Sequence, residues 1–122
     1  MNIGLELSVM IRKFTTPVII SLDGDMGSGK TVLCKGICKG LGSNDLVTSP
    51  TFNIINLYDS PYGCICHVDL YRVDNIAGIL PEITGNVILV EWCKIDTIKP
   101  HLLINIKYGK KKNDRIISIW VA

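Results

Sequence analysis

A glycine-rich run near the start of this sequence has the residue types and the spacing of a phosphate-binding loop. The run is Gly24-Asp25-Met26-Gly27-Ser28-Gly29-Lys30-Thr31, an unbroken match to G-x-x-x-x-G-K-[ST]. Closely approaching glycines let a ring of backbone N–H groups surround an anion. The lysine can reach the outer phosphate oxygens, and the hydroxyl after it can ligate Mg²⁺. We therefore expect Asp25 to Thr31 to bind the phosphates of a nucleotide, with Lys30 as a catalytic charge and Thr31 also on the metal.

The segments on either side of the run predict the strand and the helix that such a loop requires. Val18 to Leu22 is apolar and predicts a buried strand, whereas Val32 to Leu41 has the period of a helix. That helix would point its free N–H groups and the positive end of its dipole at the bound phosphates. Its Gly36 and Gly40 are poor helix formers, and they indicate close packing against a neighbour.

Two carboxylates follow apolar strands further along the chain. Glu91 comes directly after Val87 to Val90, and Asp69 comes directly after Ile65 to Val68. Mg²⁺ at a nucleotide keeps most of its waters and takes one or two protein carboxylates. The uniformly apolar strand before Glu91 favours Glu91 as the metal ligand, which leaves Asp69 to hold or orient a water. Either residue could instead be an ordinary strand-end carboxylate.

Other polar residues near these strands have both a functional and a structural explanation. His67 shares a strand face with Asp69, but a lone histidine there is more often a core or edge residue. Arg72 could stabilise charge in a transition state, or it could lie at a surface turn. Trp92 could stack on a base, face a partner or fill the core. The loop Thr48-Ser49-Pro50-Thr51 could sense a terminal phosphate or simply connect two elements.

The five cysteines do not have the spacing of a disulfide framework. Cys34 and Cys38 lie one helical turn apart, and Cys64 and Cys66 share one face of a predicted strand, so a site of four thiolates is conceivable. Neither pair has the usual C-x₂-C spacing of zinc sites. We expect buried, apolar roles for these side chains.

Length and charge set the outer limits of the function. The sequence has 122 residues, which predicts one domain over residues 1–122. A domain of this size has no room for a substrate lid. We therefore expect its activity to depend on a partner protein. A net charge of +2 gives no general signal for nucleic acid. The apolar runs are too short for a membrane span, and the first residues do not resemble a signal peptide. We therefore predict a cytoplasmic protein.

The remaining hydrophobic pattern predicts an α/β fold. The elements are an amphipathic helix at Asn2–Lys13, a hairpin of Thr51–Tyr58 and Gly63–Leu70, an irregular stretch at Val73–Asn86, a mid-sheet strand at Val87–Val90, and two last strands at Leu102–Tyr108 and Arg115–Val121. Together with the phosphate loop they predict a P-loop NTPase-like sheet, part parallel and part hairpin, flanked by helices.

Two sequence features favour ATP over GTP. In the D-x-x-G motif of GTPases, a glycine stands three residues after the aspartate. Three residues after Asp69, this sequence has Arg72 instead. Cys93-Lys94-Ile95-Asp96 is similar to the guanine-reading N-K-x-D, but Cys93 replaces the asparagine whose amide that motif uses.

Four motifs in this order resemble the bacterial TsaE (YjeE) family, the small ATPases of tRNA threonylcarbamoyladenosine biosynthesis. They are the phosphate loop, Val47-Thr48-Ser49-Pro50-Thr51-Phe52, His67-Val68-Asp69-Leu70-Tyr71-Arg72 and Val90-Glu91-Trp92. The phosphate loop is common to many families, whereas the set of the other three is much more specific. The resemblance extends from about Ile3 to the last strand.

The resemblance implies an ATPase that works with the TsaD and TsaB proteins on tRNA, with TsaD performing the transfer itself. It implies Lys30 and Thr31 on phosphate and Mg²⁺, and Glu91 as the second magnesium ligand. It further implies that Asp69 acts near the hydrolytic water. Thr51 would belong to a nucleotide-sensing loop, and Trp92 would line the site or the partner surface.

The sequence departs from the family pattern at two places. The segment between Arg72 and Glu91 is shorter than usual. In relatives, a residue before the first helix contacts the nucleotide. In this sequence, Asn2 is the only nearby candidate for that residue. Two other functions stay open on the sequence: a small P-loop kinase, and a nucleotide-binding adaptor without turnover.

Overall fold

The computed structural model describes residues 3–25, 27, 29–48, 54–93, 97–111 and 114–122. Its elements are α1 Ile3–Ile11, β1 Val18–Gly24, α2 Lys30–Gly40, β2 Ile55–Tyr58, β3 Ile65–Asp69, β4 Val87–Glu91, β5 Leu102–Tyr108 and β6 Arg115–Val121. Two 3₁₀ turns, Ile76–Gly78 and Leu80–Glu82, lie between β3 and β4. The stretch expected to be irregular therefore contains these two short turns.

The strands form one sheet of six in the order β2-β3-β4-β1-β5-β6. The inner four, β3, β4, β1 and β5, run parallel, and β2 and β6 pair antiparallel at the two edges. The mixed sheet that the sequence predicts is confirmed, with Val87–Val90 inside it. Because parallel strands end at the same edge, Gly24, Asp69, Glu91 and Tyr108 all lie at the carboxyl edge of the sheet.

The sheet separates two apolar clusters. On one face, α1 and α2 cover the sheet with side chains such as Leu7, Ile37 and Leu89. On the other face, Val68 and Val90 pack with residues from the segment that follows each strand, and the 3₁₀ turns lie against them. The phosphate loop leads into α2, which lies on the first face. We therefore expect the functional site on that face, at the carboxyl edge of the sheet.

Several element boundaries differ from the sequence prediction, including the starts of β2, β3 and α2. β2 begins at Ile55, because Ile54 has a φ of 64° and so interrupts the extended backbone. β3 begins at Ile65, because Gly63 has a φ of 125° and belongs to the turn. α2 begins at Lys30, two residues before the apolar period becomes visible. Residues 51–53 of the predicted strand lie outside the described residues.

The two helices pack on each other through glycine, as the positions of Gly36 and Gly40 predict. A Cβ placed on Gly4 would lie 2.5 Å from the Cα and the carbonyl carbon of Gly36. A Cβ on Gly40 would collide with Ser8, whose hydroxyl donates to Leu5 O at 2.6 Å. Close approach of the helix backbones is therefore the reason for glycine at these positions. In the described part of the chain, neither helix has the length and apolar character to cross a bilayer.

Replacement of Gly4 by alanine tests this helix contact. Alanine favours a helix by about 1 kcal/mol, but here its methyl group must push one helix backbone away from the other, and overpacking typically costs about 1–3 kcal/mol. Because the contacts at 2.5 Å are with backbone atoms, the overpacking cost should exceed the gain, and we expect Gly4→Ala to lower the free energy of unfolding by about 1–2 kcal/mol in urea denaturation. Gly78→Ala is the matched control, since nothing lies within 4 Å of its added Cβ. An unchanged midpoint for Gly4→Ala would contradict the contact.

Candidate functional site

The phosphate loop joins β1 to α2 through glycines with positive φ. Gly27 has a φ of 76° and Gly29 has a φ of 111°, both in the region that favours glycine. Gly29 is the N-cap of α2 and supplies no side-chain acceptor, so the first N–H groups of the helix stay available to an anion. Asp25 is exposed at the end of β1, whereas Met26 and Ser28 lie outside the described residues.

Lys30 is bound across its own loop. Its Nζ donates to Gly24 O at 2.8 Å and lies 4.0 Å from Glu91 Oε1. The same Nζ lies 4.0 Å from the centroid of the Trp92 ring. The residue is only 7% exposed, so its charge is stabilised by a carbonyl, a carboxylate and an aromatic face rather than by water. Thr31, next to it, is half-buried in the first turn of α2.

Glu91 is a buried carboxylate held by a histidine. It is 4% exposed, and its Oε2 lies 2.6 Å from Nε2 of His67, which is fully buried. Nδ1 of His67 is buried with no partner among the described residues. A hydrogen on Nδ1 would therefore be left without an acceptor, so we assign the hydrogen to Nε2, from which it donates to Glu91.

Cys34 completes the surroundings of His67. Its Sγ, on the inner face of α2, lies 3.4 Å from His67 Nε2. Burial raises the pKa of the Cys34 thiol well above its ordinary value, and the charge of Glu91 adds to that shift. The thiol is therefore protonated and unreactive at neutral pH.

Asp69 lies beside Glu91, because these two residues are register partners in β3 and β4. Asp69 is less buried, and its Oδ1 accepts a hydrogen bond from the N–H of Tyr71 at 2.9 Å. Side chains of register partners point to the same face of a sheet. The two carboxylates thus differ: Glu91 is deep and fixed, whereas Asp69 lies nearer to solvent.

The side chain of Trp92 lies against the lysine of the phosphate loop. The residue has a φ of 57°, which is rare for a bulky residue. Its ring contacts both the Lys30 ammonium and the ring of Tyr71, whose centroid is 4.9 Å away. The strained backbone therefore places an aromatic face over the site, and such strain persists only where neighbouring contacts hold it.

The other predicted site residues stay apart from this group or cannot be placed. Thr51 lies outside the described residues. Thr48, at the start of the same loop, is tied to Tyr58, whose hydroxyl donates to Thr48 O at 3.1 Å. Arg72 is exposed after β3. A metal site formed by Cys34, Cys38, Cys64 and Cys66 is excluded, because Cys34 and Cys66 belong to clusters on opposite faces of the sheet.

Several contacts of the site were not found by reasoning on the sequence. The sequence reasoning favoured a core or edge position for His67, and the structure adds its hydrogen bond to Glu91. The spacing of Cys34 four residues after Lys30 places both on one side of α2, a signal that was available but not used. Tyr108, at the end of β5, lies close to the phosphate loop. A Cβ added to Gly27 would be 3.1 Å from the Tyr108 hydroxyl oxygen. The group as a whole can hold an anion at the loop and a hard cation at the two carboxylates.

A double-mutant cycle tests the bond between His67 and Glu91. His67→Ala removes the donor of a buried carboxylate and leaves a cavity, so we expect it to lower the free energy of unfolding by about 2–4 kcal/mol. With Glu91→Gln as the second change, we expect a coupling energy of about 1 kcal/mol, measured by urea denaturation.

His101 provides the control for that cycle. Its Nδ1 accepts from the N–H of Ile19 at 3.0 Å, at the opposite end of the strands from Glu91. His101→Ala should therefore be additive with Glu91→Gln to within about 0.5 kcal/mol. Equal coupling for both histidines would show that the hydrogen bond is not what the cycle measures.

Known proteins that are similar to this chain carry the name of one family. Residues 2–117 match the model of the family described as "Threonylcarbamoyl adenosine biosynthesis protein TsaE". A protein of Rickettsia typhi named tRNA threonylcarbamoyladenosine biosynthesis protein TsaE is 37% identical over 110 residues, which cover 83% of this chain and 76% of that protein. A Nostoc protein with the same name is 34% identical over 117 residues, 87% of this chain and 69% of that protein.

The solved structures give the same result for the fold. The crystal structure of YdiB from Bacillus subtilis superposes with a TM-score of 0.72 at 30% identity, over 99% of this chain and 77% of that chain. The sheet with its phosphate loop and flanking helices is thus a P-loop NTPase-like fold. The family match over nearly the whole sequence shows that this chain belongs to the TsaE family of tRNA threonylcarbamoyladenosine biosynthesis.

Proposed function

We propose that this chain binds ATP with Mg²⁺ and hydrolyses it in support of the threonylcarbamoyladenosine modification of tRNA, acting with the TsaD and TsaB proteins. The observation that carries the proposal is the meeting of Lys30, Glu91 and Trp92 at the start of α2. A buried cation, a buried carboxylate and an open helix N-terminus are the groups that a metal–triphosphate complex requires.

Lys30 would exchange its partners when the nucleotide binds. Its bond to Gly24 O, at 2.8 Å, keeps the ammonium at the mouth of the loop without an anion present. A phosphate at the N–H groups of α2 is a stronger acceptor than a carbonyl, because the hydrogen bond then joins two charges. The residue is therefore already placed for the phosphates, and only its side chain has to move.

Thr31 and Glu91 would hold the metal, and Asp69 would hold or orient a water. When bound, Mg²⁺ would neutralise charge on the phosphate oxygens. The fit rests on the donor set, since both Glu91 and Thr31 offer the oxygen ligands that Mg²⁺ prefers. His67 keeps one oxygen of Glu91 in place at 2.6 Å, which leaves the other oxygen, near Lys30, for the ion.

The outer parts of the proposed site depend on aromatic and loop residues. Trp92, already lying against Lys30, would line the nucleotide site or face a partner. Thr51 would respond to the terminal phosphate from its loop. We propose ATP rather than GTP because Cys93 stands where a guanine-reading motif has asparagine.

The proposed partners and location follow from the family. TsaD and TsaB would form a complex with this chain in the cytoplasm, and tRNA would be reached through that complex. The alternatives, a small kinase or an adaptor without turnover, differ in their products. A kinase would transfer phosphate to an acceptor faster than to water, whereas an adaptor would bind ATP and leave it intact.

Calorimetry with magnesium and ATP tests the binding site. A hydrogen bond to a charged group contributes about 1.5–3 kcal/mol, so Lys30→Ala should weaken ATP binding about 10- to 100-fold. Lys35→Ala is the matched control, because Lys35 is an exposed lysine of the same helix. The affinity of this variant for ATP should stay within about twofold of that of the unchanged protein. Equal affinities for the two variants would contradict the proposed site.

Reconstituted tRNA modification tests the function. With TsaD and TsaB we expect repeated turnovers only when this chain and ATP are present. Asp69→Asn should keep ATP binding within a few-fold and lower ATP hydrolysis by about 10²-fold, the scale of a lost acid–base or water-orienting group. An unchanged yield of modified tRNA without this chain would overturn the proposal.

A further inference from the structure

Three buried side chains of different chemistry meet beneath the phosphate loop. The Sγ of Cys34, a ring nitrogen of His67 and a carboxylate oxygen of Glu91 all lie within 4.8 Å of one another. Cys34 and His67 are fully buried, and Glu91 is 4% exposed. A magnesium site would use only the carboxylate of this group as a ligand. In the function proposed above His67 only holds that carboxylate, and the sulfur has no part.

The three ligand atoms suit a zinc-like ion better than they suit magnesium. Zinc binds thiolate, imidazole and carboxylate in a tetrahedron, with about 2.3 Å to sulfur and about 2.0–2.1 Å to nitrogen. Those bond lengths place the two ligand atoms about 3.5 Å apart at a tetrahedral angle. Cys34 Sγ and His67 Nε2 are 3.4 Å apart, which matches without movement. The 2.6 Å between His67 and Glu91 is that of a hydrogen bond and has to lengthen.

We propose that Cys34, His67 and Glu91 form a binding site for a divalent ion of the zinc class in the nucleotide-free protein. A water would supply the fourth ligand from the side of Glu91, the only one of the three residues that is not fully buried. A thiolate and a carboxylate together carry two negative charges, which balance the charge of the ion. Lys30 keeps its hydrogen bond to Gly24 O at 2.8 Å and needs no new partner.

The protons of the site balance in a defined way. Cys34 loses its thiol proton to solvent as the Sγ–metal bond forms. The hydrogen on His67 Nε2 leaves that nitrogen and Nδ1 takes one up, so the ring keeps the same number of hydrogens. One proton per bound ion is therefore released. Two features weaken the site: burial opposes the loss of the thiol proton, and Nδ1–H finds no acceptor among the described residues. We therefore expect weaker binding than at structural zinc sites.

Titration with Co²⁺, a spectroscopic substitute for zinc, tests the site directly. The full chain is used in reduced, nucleotide-free form, and absorption from thiolate-to-cobalt charge transfer is followed. We expect one Co²⁺ per chain, release of about one proton, and loss of the absorption when Zn²⁺ is added. Absence of this absorption would overturn the proposal.

Cys38 supplies the matched control for Cys34. It is also buried in α2, one turn further on, but it does not belong to the group of three. Cys34→Ala should reduce the charge-transfer absorption at least tenfold, while Cys38→Ala should keep it. Circular dichroism shows that both variants are folded. Equal absorption in wild type and Cys34→Ala, or equal loss in both variants, would show that the thiolate comes from elsewhere.

A second readout concerns turnover and rests on the proposed function. An ion at this site withdraws Glu91 from magnesium, so Zn²⁺ should inhibit ATP hydrolysis by the wild type and inhibit Cys34→Ala at least tenfold less. The two proposals fail separately, because cobalt binding is measured without nucleotide. Cobalt absorption in a protein without ATPase activity would leave the metal site standing and overturn the ATPase. Equal inhibition of both proteins would show that zinc acts elsewhere and overturn the link to turnover.

Discussion

The site is organised around one buried negative charge, the carboxylate of Glu91. Moving a carboxylate out of water is costly unless charged or hydrogen-bonding partners replace the water. Here His67 donates to one oxygen at 2.6 Å and the Lys30 ammonium lies 4.0 Å from the other. These two partners come from β3 and from the first turn of α2, so the buried charge ties the phosphate loop to the centre of the sheet.

The same charge helps to hold the Lys30 side chain in place. Lys30 faces a carbonyl, a carboxylate and an indole ring, and each attracts a cation. An anion at the helix N-terminus would therefore compete with contacts that Lys30 already makes. Preorganisation of this kind reduces the entropy lost on binding.

Much of the fold follows from local pattern, and much of the site does not. The strands, the two helices and the glycine contacts of Gly36 and Gly40 follow from periodicity and residue type. The bond from His67 to Glu91 depends on the register of β3 and β4, and these residues are 24 positions apart in the chain. The positive φ of Trp92 has no local signal, since nothing in its residue type favours that conformation. Register and strain arise from tertiary contacts, which one sequence does not display.

The surroundings of Glu91 also decide which ions the site distinguishes. On the side of the phosphate loop, the carboxylate oxygen near Lys30 would be the ligand for a hard cation under the proposed function. Toward the core the carboxylate meets a nitrogen and a sulfur, which suit a softer one. His67 has two possible roles toward Glu91. Its Nε2 can carry the hydrogen that fixes the carboxylate, or, when the ring hydrogen is on Nδ1 instead, the lone pair of Nε2 can bind a metal. Under the two proposals, selectivity for magnesium would therefore depend on the hydrogen bond of His67 as well as on the carboxylate.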